Sequence, residues 1–505
     1  MGDWQNLVGI DLGTCYSSIA VLDQGGFART IKNEQGETST PSVVYFSEAG
    51  PVVGTPAEEA YRTFPERVVY HSKRFLGTPG KTWEIDGVEY SPVDVAATIL
   101  RKLKRDAEKS IGQIRQVVIT VPAHFSSQQR QLTLEAASQA GLDVIEILNE
   151  PVAAALCYIL GSEGVGFSGL ANSQRVLVYD LGGGTFDLSL VDYQTDNIQV
   201  LRAKGDLTLG GIDWNQRIID FVARDIFEKY QVDPRGPKHR RAFAALALAA
   251  EHAKRELSRK EHEVAVRCKI KNENHATMID RDRFEKLTAD LLVRTRLLLE
   301  KLIRSGPSRT VPGKPGGWQD IDAMLLVGGS SRMPMIRKMV LELAENQKLR
   351  QIDPELSVAH GAALYAGLLI SKRQTAGEQN SALQRFQSIS TQQVSTLTLG
   401  MLVRNKVGVR VLHPLIPKDS PLPAAARVSV TTIRDNQRCV KIQIMEVGHA
   451  AKMCECVIDD LPENLPEGSR FHVDLTYSPG GILQVVAQHQ ATGLLSTVSV
   501  VPELK

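Results

Sequence analysis

Two short glycine-rich segments each follow a carboxylate that ends an apolar run. Asp11 precedes Gly13 and Thr14, and Asp180 precedes Gly182, Gly183, Gly184 and Thr185. Glycine lets backbone N–H groups converge on phosphate oxygens without interference from a Cβ. An Asp at a strand end can hold Mg²⁺, usually through water, while the metal neutralises the phosphates. One Asp-Leu-Gly is more often only a turn; two copies, one with three consecutive glycines, point to phosphate. Leu209-Gly210-Gly211 precedes a helical pattern from Asp213 and could add N–H donors at a helix N-terminus. Gly328, Gly329, Ser330 and Arg332 end an apolar strand ahead of another helix. Alone, each of these is a strand-to-helix turn. Glu251, Lys254, Arg255 and Ser258 lie at helical spacing. They are either a solvated helix face or a nucleoside clamp, with Lys and Glu on ribose hydroxyls and the flat Arg255 guanidinium on a purine. Cys454 and Cys456 share one strand face, and no second Cys or His pair completes a zinc site, so the pair reads as structural.

These residues need elements to position them. Residues 1–373 alternate apolar runs, such as Val117–Val121, with amphipathic stretches, such as Ser127–Ala140, which argues an α/β architecture. Ser126 with Gln129 reads as a capping box, and Pro151 opens an Ala-rich helix. Both Asp-Leu-Gly turns join one strand to another, so the region reads as a duplication. The expected lobes cover about 1–170 and 171–373 with a cleft between them, divided by the Gly/Ser-rich loop Gly161–Gln174. A second such loop is Ser305–Gln319. Residues 374–393 are dominated by Gln, Ser and Thr and read as a polar linker. Residues 394–505 show short alternating strands and read as an all-β sandwich.

Composition sets limits. The 505 residues suit two to four domains. Lys and Arg total 59 against 57 Asp and Glu, a net charge of +2, so no global field favours nucleic acid or an anionic membrane. No run of about eighteen apolar residues could span a bilayer. The N-terminus lacks the basic and apolar regions of a secretory signal, and Asn6 breaks a myristoylation pattern. Six scattered cysteines suit a reducing cytoplasm.

Taken in order, Gly9-Ile-Asp-Leu-Gly-Thr14, Val121-Pro-Ala-His-Phe125, Asn149-Glu-Pro151, Asp180-Leu-Gly-Gly-Gly-Thr-Phe-Asp187, Leu209-Gly-Gly211 and Leu326-Val-Gly-Gly-Ser330 resemble the 70-kDa heat-shock protein, or DnaK-type chaperone, family. The similarity runs from about Leu7 to Val501. It implies an actin-like ATPase fold with ATP or ADP, Mg²⁺ and K⁺ between two lobes, followed by a β-sandwich that binds polypeptide. By resemblance, Asp11 and Asp180 sit near the metal, and Gly13, Thr14, Cys15 and Gly182–Thr185 hold phosphate. Lys73 matches the catalytic lysine, and Glu150 and Asp187 match carboxylates that organise the water and ions. Gly210 and Gly211, the Glu251–Ser258 helix and the Gly328–Arg332 loop match nucleotide-binding segments. Pro122 and Arg130 match the relay that reports nucleotide state to the substrate domain.

This chain departs from the pattern at several points. Cys15 replaces a second Thr beside the phosphate, and Val152 replaces a Thr after Asn-Glu-Pro. The segment Gly77–Val93 is short, which trims one outer subdomain. Glu146 stands where the family carries Arg, which argues against a J-domain co-chaperone. Ile389-Ser-Thr-Gln-Gln393 replaces an aliphatic run ending in Asp and is expected to dock weakly on the ATPase lobes. Arg404 falls near an arch position over the peptide groove, and the chain ends at Lys505, where the family continues into a helical lid.

The reading is a lidless, chaperone-like, slow ATPase of the cytoplasm. Its clients are unfolded or extended polypeptides, held by backbone hydrogen bonds and a pocket, with a nucleotide exchange factor admitted by the resemblance. Ile433, Val440 and Ile442 are candidates to line that groove or, equally, to fill the sandwich core. The rivals are a sugar or acyl kinase of the same fold, and a nucleotide-gated binding module or filament protein without refolding activity. Lys73, Glu150 and the C-terminal β-region speak against the kinase.

Overall fold

The computed structural model describes residues 6–501 except 115, 162–172, 195–196, 272, 310, 345–348, 351, 374–380, 385, 405–408, 448–451, 459–460, 462, 491–494 and 497. The expected dividing loop therefore lies almost wholly outside the described residues. So do the side chains of Arg404, Cys454 and Cys456.

Two six-stranded sheets dominate the first 392 residues, and they share one plan. In the first, the strand Leu7–Asp11 pairs antiparallel with Tyr16–Leu22 and parallel with Gln116–Val121. In the second, Ser173–Leu181 pairs antiparallel with Phe186–Gln194 and parallel with Ala323–Val327. Each central strand thus carries its Asp to the same end, beside a hairpin turn. Helices cover these sheets, so the central strands are buried along almost their whole length, which explains their nearly unbroken apolar sequence.

The helices Glu150–Leu160 and Ser357–Ser371 lie in one core shared by both sheets. That core joins Leu7 and Val118 of the first sheet to Val176 and Ala323 of the second. The approach of the two helices is backbone to backbone: a Cβ on Gly361 would overlap the Ala153 carbonyl. Gly9 makes the equivalent demand, because its Cβ would overlap the Ala363 amide. Ser126 and Gln129 form the expected capping box at the helix Ser127–Gln139.

The polar linker, expected to dock only weakly, is docked. Ser390–Gln392 is a strand, parallel to Asn197–Gln199, and it extends the second sheet. The polar side chains do not decide docking, because the backbone ladder needs none of them. The apolar area comes from flanking positions: Leu383, Phe386, Ile389 and Val394 are all buried in the shared core. Spaced singly among Gln and Ser, they escape a reading based on runs.

Beyond Val394 the chain forms two antiparallel sheets. One runs in the order Arg410–Ile416, Thr398–Arg404, Val440–Val447, Lys452–Ile458, Val498–Val501. The other runs Ala424–Thr431, Arg470–Tyr477, Leu483–His489, Leu495–Ser496. Leu399, Ile444, Phe471, Val473 and Leu475 fill the space between them. Val440 and Ile442 belong to this same buried cluster, so they are core rather than groove. Ile433 is 79% exposed and sits in the turn after Ala424–Thr431, away from them. The alternation along Val440–Val447 turns Val440, Ile442 and Ile444 inward to the core.

Candidate functional site

The two Asp-Gly turns face each other across a cleft of about 1150 Å³. Asp11, Gly13, Thr14 and Cys15 line it from one side, and Asp180, Gly182, Gly183 and Thr185 from the other. The turns nearly touch. A Cβ on Gly183 would collide with Cys15 Sγ, and one on Gly184 would come within 2.5 Å of Thr14 Oγ1. Gly13 is bound by its own hairpin, where a Cβ would strike the Tyr16 carbonyl. These positions therefore require glycine for space, and the result is bare backbone lining a cleft.

Leu209-Gly210-Gly211 plays a different part from the one expected. The Gly211 and Ile212 amides donate to the carbonyls of Gly182 and Gly183 at 3.0 and 2.9 Å, and the Gly210 amide donates to Asp213 at 2.7 Å. Those N–H groups are spent, so the turn backs the phosphate loop instead of facing the cleft. Gly184 and Asp187 also stand behind the lining; Asp187 is buried, 3.3 Å from His124 Nδ1.

The floor of the cleft is a cluster of carboxylates around one lysine. Lys73 is 6% exposed and lies in the 3-10 turn Ser72–Phe75, entered through His71 in a left-handed conformation (φ 58°). Its Nζ donates to Glu150 Oε1 at 2.7 Å and stands 5.5 Å from the Phe125 ring centroid. Burial pushes Asp11 up to about 6, against the pull of Lys73 and the Thr120 hydroxyl. Burial likewise lifts Glu150 to about 7, with Lys73 opposing it and Asp11 and Asp187 adding to it. Asp180 is held well above the ordinary range by burial and by the neighbouring Glu150, Asp187 and Asp11. One lysine cannot neutralise Asp11, Glu150 and Asp180, which all line the cleft, so the site is short of positive charge. Among the described residues no three ligating side chains converge on one point. That combination fits a hydrated divalent cation brought in with a polyphosphate.

The opposite end of the cleft is built by the helix Arg240–Arg259 and the turn Gly329–Arg332. Burial favours the neutral form of Glu251, but Lys254, Arg255 and Asn215 override it and hold the carboxyl down at about 2. Lys254 reaches it at 2.8 Å and also donates to the Gly211 carbonyl at 3.1 Å. Arg255 donates to Glu251 at 2.7 Å and to Tyr16 of the facing hairpin at 2.7 Å. Ser258 donates to the Lys254 carbonyl at 2.8 Å. Gly328 has φ 78° and lies against the Leu181 carbonyl, and Gly329, Ser330 and Arg332 line the cleft. Arg332 pairs with Glu355 at 3.1 Å and is exposed. Glu251, Lys254, Arg255 and Ser258 all line the cleft, so the helix face is a wall of the site.

Arg74 was not legible in the sequence. It donates to the Gly184 carbonyl at 3.1 Å and to Asp213 at 2.6 Å, clasping the second lobe from beside Lys73. Only its adjacency to Lys73 marks it. Arg130 is buried and spans regions: it donates to Asn149 at 2.8 Å and to the Gly480 carbonyl of the β-sandwich at 3.0 Å. Glu146 abuts the same sandwich loop, since a Cβ on Gly480 would come within 2.5 Å of its carboxylate.

Gly183→Asp should abolish calorimetric binding of ATP with Mg²⁺, because the new side chain has no room beside Cys15 and adds a charge that repels phosphate. Binding at wild-type strength in that variant would overturn the assignment of these turns.

Comparison with known proteins is consistent along the chain. The family model described as "Hsp70 protein" matches residues 7–504. The chain is 36% identical to the chaperone protein DnaK of Thermosipho melanesiensis over 510 residues, covering 98% of this chain and 80% of that one. It is 38% identical to the chaperone protein DnaK of Thermotoga neapolitana over 448 residues, covering 87% of this chain and 70% of that one. The DnaK of Thermotoga maritima matches to the same extent, 38% over 448 residues. On a match of this length, with glycines and carboxylates placed as the cleft requires, the chain belongs to the Hsp70 family.

Proposed function

We propose that this protein is an ATP-dependent chaperone that hydrolyses ATP slowly in the cleft and binds extended polypeptide at its β-sandwich. The observation that carries the reading is the pair of glycine turns facing each other over Lys73 and its buried carboxylates. Bound Mg²⁺·ATP supplies the phosphoanhydride and the charge that offsets the acidic floor. The chain's own residues do the rest. Backbone amides of Gly13–Cys15 and of Gly183 and Thr185 would hold phosphate oxygens, and the Glu251–Ser258 wall would hold the nucleoside. Lys73 brings a positive charge to the transferred phosphoryl group, and Glu150 sets its direction through their 2.7 Å bond. Glu150 orients the attacking water, and Asp187 acts on Glu150 from behind the lining. With no strong general base in contact with that water, turnover is slow.

The polypeptide site moves to a new place. Among the described residues Arg410–Ile416 is an edge strand paired on one side only, and Val411 and Leu412 along it are exposed. An edge with unpaired backbone groups and apolar side chains suits addition of an extended segment. Residence in the cytoplasm is part of the same proposal. Its support is that, among the described residues, no helix is long and apolar enough to cross a membrane and the cysteines form no disulfide.

Loss of one well-placed charge in a transition state costs about a hundredfold in rate. Lys73→Ala should therefore bind ATP almost normally and hydrolyse it about a hundredfold more slowly in single turnover. An unchanged single-turnover rate would remove Lys73 from the mechanism. The docked strand Ser390–Gln392 and the Arg130–Gly480 contact make the β-sandwich part of the ATPase lobes' surface. Peptide should accordingly stimulate steady-state hydrolysis severalfold, a coupling of about 1–3 kcal/mol. A J-domain protein should not, because Glu146 repels an acidic motif. Stimulation by the J-domain alone would reverse that assignment.

A further inference from the structure

Glu446 stands apart from every function assigned so far. It lies on the strand Val440–Val447 of the β-sandwich, yet its side chain leaves that domain. Its Oε1 accepts the Ser127 amide at 3.0 Å, in the first turn of the helix Ser127–Gln139 of the first lobe. The same serine completes the junction, since its Oγ accepts the Leu483 amide at 3.0 Å. Arg130, one turn along that helix, donates to the Gly480 carbonyl at 3.0 Å. Glu446 is 2% exposed, and among the described residues no cation lies within ion-pair distance of it. The Arg130 guanidinium is committed elsewhere: besides Gly480 it serves Phe125, Ala123 and Asn149. A carboxylate in an interface with one hydrogen bond and no paired charge is expensive to bury in its ionised form.

We propose that Glu446 is a proton-sensitive latch: docking of the β-sandwich on the first lobe takes up a proton at this carboxyl, so acidification favours the docked arrangement and alkalinity loosens it.

The sense follows from the surroundings. Burial pushes Glu446 up to about 7, while the Ser127 amide and the more distant Arg130 pull it down. Undocking returns it to water and to the ordinary carboxylate value of about 4.3. Between these two values the docked form holds the proton and the undocked form does not. Docking is therefore strongest below the undocked value and weakens as pH rises towards about 7. Above that value both forms are ionised, and docking no longer changes with pH. The other groups facing this junction do not reverse the sign. Arg130 is cationic throughout, and burial raises Tyr477, on the facing sheet, out of the range. Glu146, on the strand Val144–Asn149, is also raised by burial, with Arg130 and Arg373 opposing, so it adds in the same direction. Glu150 and Asp187 act on Arg130, whereas Glu446 responds to burial, the Ser127 amide and Arg130.

The test is hydrogen exchange of the full chain from pH 5 to 8.5, corrected for intrinsic exchange. It is read at residues 123–131 and 478–485, with the buried strand Ser173–Leu181 as reference. One proton changes the opening constant by at most tenfold per pH unit, so opening should rise about fortyfold from pH 5 to 7, about twofold more by pH 8.5, and then level off. Glu446→Gln, which keeps an acceptor for Ser127, should lose at least half of that slope and open less than wild type at pH 8. Glu446→Met serves the same purpose if the amide variant does not fold. A flat wild-type profile overturns the proposal without any variant, and so does a neutral variant that keeps the wild-type slope.

Discussion

Four carboxylates share a buried space with a single lysine. Asp11, Glu150, Asp180 and Asp187 come from four different strands or helices; Lys73 acts on the first three, and Asp187 adds to their repulsion from behind. Left alone, such a cluster repels itself and pays for its own desolvation, and the raised Asp11, Glu150 and Asp180 register that cost. The fold tolerates it because the two sheets are locked by backbone contact between the helices Glu150–Leu160 and Ser357–Ser371. The missing positive charge is what gives the cleft an appetite for a metal-bound polyphosphate. The bare glycine turns on either side then supply the hydrogen bonds.

The same elements carry the site outward. Glu150 opens the helix whose Ala153 meets Gly361, and Asn149, its neighbour, holds Arg130. Arg130 reaches the β-sandwich at Gly480, and Ser127 on the same helix meets Glu446 and Leu483. A shift of the strand Val144–Asn149 on closure of the cleft would therefore be felt at the sandwich without any long-range force. The second route is the strand Ser390–Gln392, which belongs to the sheet that carries Asp180. Both routes are made of hydrogen bonds between rigid elements, the kind of arrangement that transmits a displacement.

Much of this was legible in the residues. The repeated Asp-Leu-Gly turns, two of the three glycines and the Glu251–Ser258 spacing name groups that line the cleft, because each depends on local chemistry. What escaped depends on distance. Nothing near Arg74 in the chain announces Asp213, and nothing near Glu446 announces Ser127, 319 residues away. The linker misled because docking came from a backbone ladder and four isolated apolar side chains, not from an aliphatic run. For Val440 and Ile442 groove and core stood equally open, because alternation shows which side chains share a face and not whether that face is core or groove; the structure makes them core. Leu209-Gly-Gly211 misled because a glycine turn before a helix looks the same whether its amides are free or already spent.

The central claim is that the floor of the cleft is too acidic to accept a polyphosphate without a divalent cation. Calorimetric titration of ATP into the protein, with Mg²⁺ and with excess chelator, tests it most directly. Two unit charges about 4 Å apart interact by about 4 kcal/mol at the effective dielectric of a protein surface. Removing the cation should therefore weaken ATP binding by at least about a hundredfold, a loss of about 2.7 kcal/mol. Equal affinity with and without Mg²⁺ would show that the carboxylates do not face the phosphates, and the account of the site would fall with it.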